Sequence, residues 1–282
     1  MPHVQLGTFN LHYDMVGRAG TPVVLIMGLT VPGRSWRSIL PLLQSDHRVV
    51  YFDHRGIGGS SAPRGPYSMA QMAADVVGLM DHLGWAQAHI VGLSMGGMVA
   101  QHVALNARSR VRSLTLLATH AGGWQARLPQ PKGVFHFIQT QLLRDRQAKI
   151  AALSNLLFPA EFLQSSERNA VRQGLEEDFG EPVPKTVLLS QYAAIQGHYT
   201  ADKLARLKGL PTLVIRPGQD ILVRPDESDR LARLIPGARL ARFDHCGHAV
   251  TRQDPQGVGR ELLEHFAAAD RQLRPDPNSP NR

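Results

Sequence analysis

A chain of 282 residues, 43% hydrophobic and 19% charged, has the composition of an ordinary globular protein and enough apolar content for one sizeable core. Its net charge of +8 raises the question of nucleic acid, but the basic residues are scattered, nearly all Arg, without interleaved aromatics or a helix-turn-helix, zinc-finger or RNA-binding signature, which argues against that class. A single cysteine, Cys246, excludes an internal disulfide; the apolar runs are far too short for a bilayer and Met1–Asn10 lacks a leader pattern, so the expected location is cytoplasmic, without membrane insertion.

Val4–Phe9 and Leu11–Val16 read as an antiparallel pair at one sheet edge. Pro22–Met27 is a buried strand, followed by a loop and a short helix near Trp36–Leu43; Arg48–Asp53 is the next strand and Met69–Leu83 a helix. Ile90–Leu93 is a strand, and Gly97–Leu105 reads as the helix behind it. Val111–Ala118, Pro211–Arg216 and Ala238–Phe243 are further strands, with helices at Asp226–Leu234 and Gln256–Ala269. Continuous apolar strands alternating with helices predict an α/β fold with a doubly wound, mostly parallel sheet covered on both faces.

The rhythm stops between about Gly122 and Tyr199, where Phe135–Leu143, Ile150–Leu157 and Thr186–Ile195 read as helices and Glu176–Asp178 with Pro182 and Pro184 as a break. The expected organisation is a core of residues 1–121 and 200–273, an inserted helical cap at 122–199, and a disordered tail at 274–282 that carries no apolar content.

Gly92-Leu93-Ser94-Met95-Gly96 sits between a strand and a helix, the context a G-x-S-x-G nucleophile elbow needs. Glycines let strand and helix crowd the bend while Ser94 takes a strained conformation, and the Met95 N–H lies at a helix N-terminus, where an oxyanion is stabilised. A serine hydroxyl is a weak nucleophile without a base, and the base needs an orienting acid. The C-terminal ends of two later strands supply both: Asp220 after Leu213–Arg216, and His248 after Leu240–Phe243. Among rival bases, His89 begins the strand that ends at Ser94, ~16 Å away at about 3.3 Å per residue, and His102 lies two turns into the helix. His245 is the serious rival, but His248 follows Gly247, which permits the tight bend that presents an imidazole. Asp226 and Asp229 look like cap and first-turn residues of the next helix, and Cys246 like a packed small residue.

Four motifs resemble those of the α/β-hydrolase superfamily: Met27-Gly28, Asp53-His-Arg-Gly-Ile-Gly-Gly-Ser60, Gly92-Leu-Ser-Met-Gly96, and Asp220 with Gly247-His248. The resemblance covers nearly the whole chain. It implies a second oxyanion donor at the Leu29 backbone N–H, and a mostly structural role for Asp53–Ser60, which leaves Asp53 and Arg55 out of the catalytic set. It also implies a departure, since many relatives have His-Gly where this chain has Met27-Gly28, with consequences for loop anchoring and pocket polarity.

Serine rather than aspartate at the elbow argues against dehalogenase or epoxide-hydrolase chemistry and for acyl transfer. The expected function is a serine hydrolase cleaving esters of small to medium, largely apolar substrates, with no metal and no cofactor. A C–C bond or lactone hydrolase with the same triad, or a small-molecule receptor of this fold, are the alternatives. Trp124, Phe135, Phe137 and Leu157, with Leu142, Leu143, Leu156, Phe158 and Phe162, are expected to supply an apolar substrate site in the cap.

Overall fold

The computed structural model describes residues 2–124, 126, 130–165, 168–179 and 183–273; the expected tail at 274–282 lies outside them. The strands are β1 (His3–Leu6), β2 (Phe9–Val16), β3 (Thr21–Ile26), β4 (His47–Phe52), β5 (Ala88–Leu93), β6 (Val111–Leu117), β7 (Thr212–Pro217) and β8 (Arg239–Phe243). They form one sheet in the order β1-β2-β4-β3-β5-β6-β7-β8. β1 pairs with β2, and β2 with β4, antiparallel; every later pairing is parallel.

The helices of the core are α1 (Leu40–Leu43), α2 (Met69–His82) and α3 (Met95–Asn106). The segment between β6 and β7 holds α4 (Pro131–Leu142), α5 (Arg146–Leu157), α6 (Ala160–Leu163), α7 (Arg168–Asp178) and α8 (Lys185–Gln196). The chain then returns to the sheet with α9 (Pro225–Leu234), α10 (Val250–Gln253) and α11 (Pro255–Leu273).

Side-chain alternation along a strand explains why the central strands are apolar throughout. Val24 and Ile26 of β3 face a cluster with Met72, Val76 and Leu79 of α2, and Val99 and Val103 of α3. Val23 and Leu25 face the opposite cluster, with Trp36, Leu43, and Leu262 and Phe266 of α11. Both faces of the central sheet are thus covered, which leaves its strand ends as the edges not packed under these helices.

One expectation about the insertion is overturned. Glu176–Asp178 is not a break but the last turn of α7. The helix is stabilised from the side that composition hides: Val171 and Leu175 are buried, i and i+4 on one face, and pack with Ile150 and Phe158. Asp178 has a fully buried side chain because the core meets it with cations, Arg37 at 2.9 Å and Arg252 in direct contact.

Candidate active site

The bend after β5 forces Ser94 into the left-handed region, at φ 56 and ψ −121, a conformation that costs a non-glycine residue about 1–3 kcal/mol. Close packing compels it. A Cβ at Gly92 would lie 2.3 Å from the Gly96 carbonyl oxygen, and one at Gly96 2.1 Å from that of Ile26. The bend is then locked from outside: the Ser94 N–H donates to the Leu117 carbonyl at 2.9 Å, and the Thr119 hydroxyl donates to the Ser94 carbonyl at 2.7 Å. Gly28 brings the loop after β3 against the serine, its Cβ position 3.7 Å from Ser94 Oγ.

Asp220 and His248 emerge from neighbouring loops that are stitched together. Gly218 donates to Phe243 O at 2.9 Å and Gln219 to Cys246 O at 2.8 Å. His248 Nδ1 lies 2.7 Å from Asp220 Oδ2. Asp220 Oδ1 accepts from the Leu222 and Val223 N–H groups at 2.8 and 2.9 Å, and Asp220 is fully buried. A carboxylate only accepts, so Nδ1 carries a proton, and His248 lines the cavity with the rest of its ring. The Ala249 N–H donates to the Leu157 carbonyl at 3.1 Å, which seats the C-terminal end of α5 on the His248 loop.

Ser94 and His248 line one cavity of about 450 Å³, within the range of small-molecule sites. Leu29 lines it too, and neither the Leu29 nor the Met95 N–H has a backbone acceptor among the described residues. Phe137 and Leu157 are in its wall, as are Leu153, Leu156, Leu175 and Phe179. Trp124 and Phe135 are not: they are 71% and 58% exposed. Phe135 shares the outer face of α4 with Leu142, while Phe137, Thr140 and Gln141 turn inward. Phe158 and Phe162 pack within the insertion instead of at the cavity.

The rejected alternatives have other occupations. His245 is largely exposed, its ring 3.7 Å from Asp254. His89 is buried at the far end of the sheet against Ser113 at 2.8 Å. Asp226 pairs with Arg224, and Asp229 with Arg216 and Arg242. Burial pushes the Cys246 thiol up to about 12, so it is not a thiolate. Asp53 accepts from the Gly33 and Gly59 N–H groups at 2.7 and 2.9 Å, and Arg55 makes a bidentate pair with Asp75 at 2.6 Å.

Two anchoring residues escaped the sequence reading. His54 Nε2 is 2.9 Å from the Met27 carbonyl, and since a carbonyl only accepts, that nitrogen carries the hydrogen. Burial holds its imidazole down to about 4, neutral at physiological pH. Gln191 of α8, fully buried, accepts the Thr30 N–H on Oε1 at 2.9 Å. Thr30 itself has φ 59, so the loop that follows Met27-Gly28 is strained and held from both sides. These two contacts anchor the loop that follows Met27-Gly28. Neither had a signal: glutamine in a helix is unremarkable, and His54 lies in a motif otherwise devoted to its own turn.

Among the described residues no three His, Cys, Asp or Glu side chains converge as metal ligands would, and no helix is long and apolar enough to cross a membrane.

The family model for the alpha/beta hydrolase fold matches residues 21–254. The chain belongs to the α/β-hydrolase fold family. It is a hydrolase of that fold. It is 31% identical to the "Putative carbamate hydrolase RutD" of Azorhizobium caulinodans, over 93% of this chain and 97% of that protein. The crystal structure of an enol-lactonase from Burkholderia xenovorans superposes with a TM-score of 0.82 at 26% identity, covering 94% of this chain and all of that one. A hydrolase from Pseudomonas aeruginosa gives a TM-score of 0.79 at 28% identity, covering 94% and 97%.

Proposed function

We propose that this α/β hydrolase is a serine carboxylesterase that works through an acyl-enzyme. The observation that carries the reading is the 2.7 Å His248–Asp220 contact, opening into the same cavity as a serine held at φ 56. Ser94 Oγ attacks the ester carbonyl carbon while His248 Nε2 takes its proton. The Leu29 and Met95 N–H groups receive the oxyanion, His248 returns the proton to the leaving alcohol, and water repeats the sequence to release the acid. Asp220 holds the imidazole in the required tautomer and stabilises the imidazolium. Ser94 Oγ makes no hydrogen bond with another described residue; in this reading the Ser94–His248 bond closes as substrate binds, as catalytic hydrogen bonds often do.

The same residues serve any activated acyl carbon. Likeness to an enol-lactonase favours including cyclic esters, and the lactone reading stands second on that ground. A mostly apolar wall of Leu153, Leu156, Leu157 and Phe137 suits a medium-length acyl chain. The test is hydrolysis of a p-nitrophenyl ester series, acetate to decanoate, by wild type and Ser94→Ala. Turnover peaking at one chain length and lost in the folded variant supports the reading; equal turnover by both sinks it.

A further inference from the structure

The cavity wall is not uniformly apolar, and its polar part has one sign. Lys149 and Lys185 line it, as does Arg252, while no Asp or Glu among the described residues does. Arg252 is committed to the buried carboxylate of Asp178, which Arg37 also meets. Arg146 meets the Glu176 carbonyl and Arg172 the Glu176 carboxylate, while Lys132 and Arg144, which have no such partner among the described residues, lie outside the cavity wall. Lys149 and Lys185 have neither an ion-pair nor a hydrogen-bond partner among the described residues.

Their position is set by helix geometry. On α5, Lys149, Leu153 and Leu156 form one inward stripe at i, i+4 and i+7. The C-terminal end of this helix sits on the His248 loop through Leu157, so Lys149, eight positions earlier, stands ~12 Å up the axis at about 1.5 Å per residue. On α8, Gln191 is bonded to the Thr30 N–H beside the oxyanion loop, and Val187 packs against Ile57 and Tyr67 of the core. Lys185 lies six positions before Gln191, ~9 Å along that axis. One helix seated on the His248 loop and one bonded to the Thr30 loop therefore each present one unpaired lysine to the same cavity, whose wall between the helices includes Leu153, Leu156 and Leu188.

We propose that the outer end of the cavity is an anion subsite, where Lys149 and Lys185 receive a carboxylate carried at the far end of the substrate's acyl chain. The proposal rests on Ser94 being the nucleophile, and it narrows the substrate class from apolar esters to half-esters of medium-length dicarboxylic acids or their lactone equivalents. The apolar stripe takes the methylene chain, and the absence of a lining carboxylate among the described residues leaves the lysines for the ligand. A neutral ester forgoes this contact; an ester with a cationic end is repelled by it.

The test compares mono-p-nitrophenyl suberate with p-nitrophenyl octanoate, which share leaving group and chain length and differ in the terminal carboxylate. Wild type is expected to favour the suberate in kcat/KM, mainly through KM, by about ten- to hundredfold, the range for a charge-assisted hydrogen bond, and less in high salt. In the Lys149→Met/Lys185→Met double variant the ratio is expected to fall to about unity. An unchanged ratio, or a wild-type preference for octanoate, overturns the subsite while leaving the esterase reading standing. A binding measurement separates the two ideas: monomethyl suberate is expected to raise the melting temperature of Ser94→Ala, and to lose that effect when both lysines are also Met. If neither ester is turned over, the esterase reading fails, and this melting shift, present or absent, decides the subsite.

Discussion

Gln191→Leu tests whether the inserted helices hold the oxyanion loop. The substitution keeps the packing volume and removes the acceptor of the Thr30 N–H, which lies 2.9 Å from Gln191 Oε1. A buried backbone donor left without a partner costs up to about 3 kcal/mol, and for the part-buried Thr30 N–H about 1–3 kcal/mol spans the expected cost. That is the same size as the strain of Thr30 at φ 59, about 1–3 kcal/mol for a β-branched residue, so the bond is what balances the strained loop. At about 1.4 kcal/mol per decade, its loss lowers the population of loops with the Leu29 N–H in place about ten- to hundredfold. The expected kcat falls by about that factor, below the ~10²–10³ that removing an oxyanion donor outright would cost. KM moves by less than about threefold, because the acyl-chain contacts remain. Steady-state kinetics on the best p-nitrophenyl ester, measured well below the melting temperature, reads both. A lower melting temperature with kcat within about twofold of wild type would refute the reasoning and leave Gln191 a packing residue.

Asp220→Asn keeps an acceptor for the Leu222 and Val223 N–H groups but turns a donor toward His248 Nδ1, stabilising the wrong tautomer; kcat is expected to fall by about 10³–10⁴, and a loss under tenfold would contradict the assignment. Burial holds His54 and His265 down to about 4 and His89 to about 3, below the ordinary 6.5 of an unfolded chain, so the unfolded state takes up protons first as pH falls. Stability is therefore complete above pH 6.5 and declines toward pH 4, by about 1.4 kcal/mol per pH unit for each histidine; urea unfolding that is unchanged between pH 7 and 5 would contradict this. Asp178→Asn removes the anion shared by Arg37 and Arg252 and strands a buried guanidinium, for an expected loss of about 3 kcal/mol in the same assay; no loss would show the cluster to be dispensable.

The sheet was legible in the sequence because each central strand is buried on both faces and so reads as an uninterrupted apolar run, as Val23–Ile26 and Ile90–Leu93 do. The glycines around Ser94 were legible for a related reason: a backbone crossing as tight as Gly92 over Gly96 admits nothing else. The cavity wall was not. Which side of α4 turns inward depends on how the helix is docked, and Phe135 and Phe137, two positions apart, fall on different sides of it. The helix α7 escaped because its composition is polar. Its stability comes from Val171 and Leu175 on one face, and from Asp178, whose cationic partners Arg37 and Arg252 lie far away in the chain. Gln191, Lys149 and Lys185 are ordinary helix residues until the insertion is folded over the strand ends.

The central claim is that Ser94 carries the acyl group, and covalent labelling tests it most directly. After incubation with a fluorophosphonate, intact mass and peptide fragmentation are expected to show one phosphonyl adduct, on Ser94, formed much more slowly in His248→Asn and absent in Ser94→Ala. An unmodified protein, or an adduct on any other residue, would contradict the account.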